Sequence, residues 1–275
     1  MQLSPEQKTA LKLFKEGKNI FITGPGGTGK TELIKHLVED AKLRKKNIQV
    51  CALTGCASVL LGCGAKTVHS WANIGLASGD SERIIERISK SKHKKKAWLD
   101  VDILIIDEVS MMSVKLLEIL DELGKKIRKQ NTLPFGGIQI VLSGDFYQLP
   151  PVGDKDEPDT CKFCFESSKW NLIINEIVCL KTMFRQTDAV YAKVLNQIRI
   201  GKLYKSSFDV LQKCIGKKSD DLVRPTILLP RRRDVDNINE RELGKLDTET
   251  KVFNLDIEGA PKNDVKHTAK EVQKL

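Results

Sequence analysis

Two clusters of residues in this chain have the types and spacing for phosphate chemistry. Gly24-Pro25-Gly26-Gly27-Thr28-Gly29-Lys30-Thr31 fits GxxxxGK[ST] and lies between a short apolar run and a helical pattern. Glycines without a Cβ let backbone N–H groups curl round a phosphate, and the positive end of the following helix adds to the attraction. Lys30 supplies charge for the β- and γ-phosphates and Thr31 a hydroxyl for Mg²⁺, so a nucleoside triphosphate is the expected ligand. Gly24, Gly26, Gly27, Thr28 and Gly29 would form its cradle. Downstream, the apolar run 101–106 ends in Asp107-Glu108, which places two carboxylates at the carboxyl end of a buried strand, the edge where open α/β sheets bind ligands. Asp107 suits the Mg²⁺ shell. Glu108 suits the general base that polarises the attacking water.

A third run, 138–143, leads into Gly144-Asp145-Phe146-Tyr147-Gln148-Leu149-Pro150-Pro151. A glutamine just past a strand end can touch the γ-phosphate or its water, whereas Asp145 and the two prolines also read as a stiffened turn.

These groups need a scaffold, and the hydrophobic pattern supplies one. Ser4, Pro5 and Gln7 open a helix by serine cap, proline at its first position and a glutamine placed to reach back to the cap. Apolar strands are predicted near 19–23, 48–53, 101–106, 138–143 and 176–180, and the first is followed by a helix over 30–44 whose Leu33, Ile34, Leu37 and Val38 share a face. Such alternation predicts an α/β fold, a parallel sheet with helices on both faces. After residue 180 a second series begins, with helices predicted over 188–200, 205–215 and 234–246 and a strand over 226–229. The expected domains are therefore 1–180 and a partial second unit, 181–275, whose tail beyond 255 is polar and without periodicity.

Bulk composition narrows the class. At 275 residues there is length for two cores, and 40% hydrophobic with 30% charged residues is far from disordered or membrane compositions. No apolar run approaches a membrane span, and residues 1–16 lack a secretory signal's apolar core, so an intracellular protein is expected. The 46 basic against 36 acidic residues leave a net charge of +10, which attracts polyanions and makes nucleic acid the leading partner. Seven scattered cysteines fit reduced thiols, and Cys161-Lys162-Phe163-Cys164 lacks the second ligand pair that zinc requires. The run Lys90, Lys92, His93, Lys94, Lys95, Lys96 reads as a solvated loop or as added affinity for DNA.

Taken together, the blocks GPGGTGKT (24–31), LTGCASVLLGCGAKTVHSWANIG (53–75), LIIDEVSMM (104–112), PFGGIQIVLSGDFYQLPPV (134–152) and LKTMFRQTD (180–188) resemble the Pif-type (petite integration frequency) DNA helicases of superfamily 1B. The similarity covers roughly residues 1–245. It implies a RecA-like ATPase domain that grips single-stranded DNA and moves 5′ to 3′ against a second RecA-like domain, with roles in replication, repair, recombination or telomere maintenance and with DNA junctions among its substrates. Gln7 matches the family's adenine-contacting glutamine, alongside its reading as a cap. Arg185 matches the arginine that reaches the γ-phosphate, where it can stabilise transition-state charge. Thr54, Gly55, Thr67, His69 and Ser70 match strand-contacting positions, and Trp71 is either a stacking platform or core.

The family's later blocks from the second domain are not found. A truncated, nucleotide-gated DNA-binding module without unwinding activity is therefore the alternative to a working helicase. A GTPase lacks support, since no [NT]KxD guanine-reading motif occurs. Basicity suits nucleus, mitochondrion, bacterial cytoplasm or a viral replication site alike.

Overall fold

The computed structural model describes residues 3–217, 225–248 and 251. By its contacts the chain divides into Met1–Ile215 and Gly216–Leu275. Residues 181–215, assigned by the sequence pattern to a second domain, thus group with the first unit, for reasons that lie in the functional site.

In that first unit the elements run α1 (Pro5–Lys15), β1 (Ile20–Thr23), α2 (Lys30–Leu43), β2 (Ile48–Ala52), α3 (Gly55–Leu61), β3 (Lys66–Thr67), α4 (Val68–Ala72), α5 (Ser81–Lys90) and α6 (Lys92–Asp100). They continue with β4 (Ile103–Asp107), α7 (Val114–Arg128), β5 (Gln139–Gly144), α8 (Trp170–Ile173), β6 (Glu176–Cys179), α9 (Ala189–Arg199) and α10 (Lys205–Gln212). Six strands form one sheet in the order β3-β2-β4-β5-β1-β6, every pair parallel. All carboxyl ends therefore emerge on one edge.

Side chains alternate across the pleat, so each of the inner strands β2, β4, β5 and β1 feeds two cores. Ile20 and Ile22, Ile103 and Ile105, and Val141 face a core completed by Phe14 of α1 and by Leu33, Ile34, Leu37 and Val38 of α2. Phe21, Leu104 and Ile106, Ile140 and Leu142 face the opposite core, built with Trp71, Trp98 and the apolar side of α7. Burial on both faces explains why β4 reads as an uninterrupted apolar run. Trp71 is core, with its ring 4.6 Å from that of Trp98.

The approach to β5 is set by a tight contact between α7 and the turn at residues 134–137. Asp121 accepts a hydrogen bond from Phe135 N (2.8 Å), and Arg128 donates to Gly136 O (2.8 Å) and to the carbonyls of Trp98 (2.9 Å) and Val101 (3.1 Å) at the end of α6. Phe135 itself takes a left-handed conformation, φ 51°. At the amino edge, Asn19, just before β1, ties β5 to the end of α8 and the approach to β6: its side chain accepts from Ile140 N (2.8 Å) and donates to Ile173 O (2.9 Å), while its backbone N–H donates to Asn175 Oδ1 (3.0 Å).

Two expectations change. Lys92–Lys96 form the first turns of α6 rather than a loop, because Trp98 on the same helix is wholly buried and anchors it. In the second unit, 226–229 forms no strand: Ile227 and Leu228 are exposed, and a strand needs a neighbouring ladder that the described residues of this unit do not provide. The helix near 234 is present as α11 (Arg232–Leu243). The tail beyond 255 lies outside the described residues.

Gly124 tests the α7 contact. Alanine favours a helix interior over glycine by about 1 kcal/mol, yet a Cβ here would collide with the Phe135 backbone. Gly124→Ala is expected to lower stability by about 1–3 kcal/mol in a urea titration, against its helix propensity.

Candidate nucleotide site

Between β1 and α2 the chain makes its turn through three left-handed or extended-positive glycines, Gly24 (φ 148°), Gly27 (φ 87°) and Gly29 (φ 80°). Gly29 is the N-cap of α2, and no side chain caps that helix. Its first N–H groups are thus open to an anion. Lys30 Nζ donates to Gly24 O (2.6 Å) and Pro25 O (3.1 Å), which hold the ammonium over the loop. Thr28 is buried and its hydroxyl bonds Pro25 O (2.9 Å), so its side chain stiffens the turn rather than facing a ligand.

The segment after β6 lies directly on this loop. Phe184 N donates to Gly27 O (2.9 Å), and Leu180 N donates to Thr23 O (2.7 Å). A Cβ on Gly27 would sit 2.7 Å from Gln186 Oε1 and 2.9 Å from both Arg185 Cβ and Met183 Sδ, and one on Gly24 would meet Leu180 O. The glycines serve close approach as well as turn geometry. From behind, Gln7 completes its capping box with Ser4 and also donates to the carbonyls of Thr28 (3.4 Å) and Gly29 (3.3 Å). The capping role of Gln7 is thus what the structure displays, and contact with an adenine remains an expectation from the resemblance.

A cavity of about 630 Å³ opens over the loop. Gly26, Gly27, Gly29, Lys30, Thr31, Asp107, Glu108, Gln148 and Arg185 all line it, with Phe184 and the exposed Leu60 of α3. Residues scattered over more than 150 positions thus meet at the carboxyl edge of β1, β4 and β5. Gly144 at the end of β5 makes this possible, since a Cβ there would fall 2.9 Å from Val109 N just past Glu108.

Charge is concentrated here at some cost. Burial lowers the Lys30 pKa, opposed by Asp145, Asp107 and Glu108 and reinforced by Arg199. Burial raises the Asp107 pKa against the pull of a backbone N–H and Lys30. Burial, then Asp107, raises the Glu108 pKa, with Lys30 opposing. Glu108 also holds a left-handed backbone (φ 59°, ψ 37°), which is strained for a residue with a Cβ.

The Asp107 carboxylate and the Thr31 hydroxyl are hard oxygen donors on one cavity, and a buried carboxylate with raised pKa is a group that a cation would relieve. They fit Mg²⁺, which takes few protein ligands and completes its shell with water and phosphate. Among the described residues no group of three or more His, Cys, Asp or Glu could hold a metal by itself.

The expected strand-contacting residues lie apart from this cavity. Thr54 and Thr67 cap α3 and α4, accepting from Ala57 N and Ser70 N at 3.2 Å each, and thereby place Gly55 and Ser70 on exposed first turns at the carboxyl ends of β2 and β3. His69 lines a separate cavity of about 330 Å³ with Met111, Pro151 and Val152, and burial lowers its pKa.

Sequence reasoning missed two features. Arg199 at the end of α9 makes a bidentate pair with Asp145, 2.7 Å on each arm. Nothing in the spacing links residues 54 positions apart. Cys164 and the neighbouring phenylalanines pack on the core: Cys164 is buried, its thiol pushed up by burial to about 12, and Cys164 N bonds Met112 O (3.0 Å). Phe163 and Phe165 stack with rings 5.6 and 4.7 Å from Phe146.

A glycine loop before a helix, a carboxylate pair on the neighbouring strand but one and a parallel sheet of this order define a P-loop fold of RecA-like build. Comparison with known proteins narrows the class. Residues 2–207 match the model of the family described as PIF1-like helicase, and the chain belongs to that family. It is 37% identical over 255 residues to the ATP-dependent DNA helicase PIF1 of Saccharomyces cerevisiae, covering 92% of this chain and 29% of that protein. It is 36% identical to the uncharacterized protein 030L of Invertebrate iridescent virus 6, covering 92% and 49% respectively. The crystal structure of Pif1 helicase from Candida albicans superposes with a TM-score of 0.83 at 35% identity, over 98% of this chain and 60% of that one. Bacteroides Pif1 bound to ssDNA superposes at 0.77 with 29% identity, over 96% and 62%. The chain spans about a third to a half of the length of the curated relatives it matches.

Two outcomes test the site. Lys30→Ala is expected to abolish both binding of a fluorescent ATP analogue and hydrolysis. Glu108→Gln should retain binding, lose turnover by about 100-fold or more, and raise Tm at neutral pH by about 1–2 °C. The sign follows from linkage: a carboxyl whose folded pKa is raised favours folding at low pH and loses that contribution as pH rises through the folded pKa, so its charge destabilises at pH 7. The pH profile of kcat/KM supplies the second test: activity should fall on acidification with a midpoint above the ordinary glutamate range, and Glu108→Gln should erase that limb.

Proposed function

We propose that this chain is the nucleotide-hydrolysing core of an ATP-dependent DNA helicase of the Pif type, which couples ATP hydrolysis to 5′ to 3′ movement along single-stranded DNA. The convergence of Lys30, Thr31, Asp107, Glu108, Gln148 and Arg185 on one cavity supports it most directly. Lys30 neutralises the β- and γ-phosphates, leaving its loop carbonyls to do so. Thr31 and Asp107 would hold Mg²⁺, which would supply charge neutralisation at the phosphates. Glu108, with its raised pKa, accepts the proton of the attacking water, and Gln148 orients that water. Arg185 stabilises the charge that develops on the transferred group.

Thr54, Gly55, Thr67, His69 and Ser70 are the proposed DNA contacts, and the solved relatives described as bound to ssDNA and at forked dsDNA support single strands and junctions as substrates. From residue 181 the chain leads towards a second RecA-like domain, against which the first would open and close. Its work would be in replication, repair, recombination or telomere maintenance, wherever DNA is handled inside the cell or a viral replication site. No described helix is long and apolar enough to cross a membrane.

Steady-state ATP hydrolysis by the 275-residue chain, with and without single-stranded DNA, tests this reading. Stimulation of about 10-fold or more is expected, absent in Glu108→Gln. ATP binding without any effect of DNA would favour the alternative, a nucleotide-gated module that does not unwind.

A further inference from the structure

Arg199 closes α9 and grips Asp145 through both guanidinium arms, Nε to Oδ2 and Nη2 to Oδ1 at 2.7 Å. Asp145 is only 1% exposed, yet its pKa is lowered: burial pushes it up, and the Arg199 hydrogen bonds prevail. The same carboxylate accepts from Tyr147 N (3.2 Å), and Asp145 O accepts from Gln148 N (2.8 Å). The guanidinium also lies 4.3 Å over the Tyr147 ring. Both described hydrogen bonds within the turn from β5 to Gln148 therefore end on Asp145, and Asp145 is held by Arg199.

The far end of α9 is tied just as firmly. Asp188 caps the helix, accepting from Val190 N (2.8 Å) and Tyr191 N (3.1 Å), and four residues earlier Phe184 N bonds Gly27 O. An 11-residue helix, about 16 Å long, thus connects the phosphate loop and Arg185 at one end to the Gln148 turn at the other.

We propose that Arg199 is a positioning residue for hydrolysis: its clamp on Asp145 sets where Gln148 stands in the nucleotide cavity and makes that placement depend on α9. This rests on the hydrolytic reading of the site given above. A bidentate, ring-stacked contact gives the directional rigidity the role demands, which lysine could not supply.

A double-mutant cycle with Gln148 tests the role, because a residue acting through Gln148 has nothing left to act on once Gln148 is gone. Arg199→Gln should lower kcat by about 10- to 100-fold with little change in KM for ATP. In a Gln148→Ala background the same substitution should change kcat by less than about 2-fold. The neutral pair Arg199→Gln with Asp145→Asn, which leaves no buried charge unpaired, should show the same kcat loss with Tm near that of the unaltered chain. Equal losses in both backgrounds, or a fall in Tm that accounts for the loss, would overturn the proposal. So would full activity of Arg199→Gln beside an inactive Lys30→Ala, which leaves the hydrolytic reading intact. A chain without ATP hydrolysis would overturn both.

Discussion

The backbone of Leu180–Gln186 lies directly on the glycine loop, and that contact tolerates no side chain. Phe184 N bonds Gly27 O, Leu180 N bonds Thr23 O, and Gly24, Gly27 and Gly29 all face atoms where a Cβ would have to go. Glycine is usually explained at such loops by phosphate approach. Here the far side of the loop is as constrained as the ligand side. The arrangement brings Arg185 into the cavity over that loop, keeps residues 181–215 with the first unit, and joins the start of α9 to the loop.

Around that contact the chain assembles charge that does not favour its own folding. Lys30, Asp107 and Glu108 are each shifted by burial towards neutrality, and Glu108 adds a left-handed backbone. Such groups persist because phosphates and a cation would satisfy them, while the two apolar cores on either face of the sheet supply the stability that offsets them. Asp145 is the contrast. Its partner is internal, so its pKa is lowered, which marks it as part of the frame that holds Gln148.

Much of this was legible in the residues because the relevant signals are local. A glycine loop followed by Lys-Thr, and an apolar strand ending in two acids, each declare their geometry within eight positions, whereas which core each residue of β1, β4 and β5 enters was not legible, since these strands are apolar on both faces. Non-local pairings were not legible: Arg199 with Asp145, Arg128 with the α6 carbonyls, and Phe146 with the Phe163–Phe165 segment depend on where the crossovers land. Lys92–Lys96 misled because charge density outweighed one buried tryptophan in the pattern, and 226–229 because apolar character cannot reveal whether a ladder partner exists. The boundary near 180 marked a real change in pattern but not a break in packing, since a strap can leave the sheet and still lie on it.

Amide hydrogen exchange of the whole chain, with and without a non-hydrolysable ATP analogue and Mg²⁺, measures the central claim directly. If the loop and the strap form one nucleotide site, residues 24–31, 180–186 and 145–148 should gain protection together, while α5 and α6 remain unchanged. Protection of the glycine loop alone, with 180–186 exchanging as in the free chain, would contradict it.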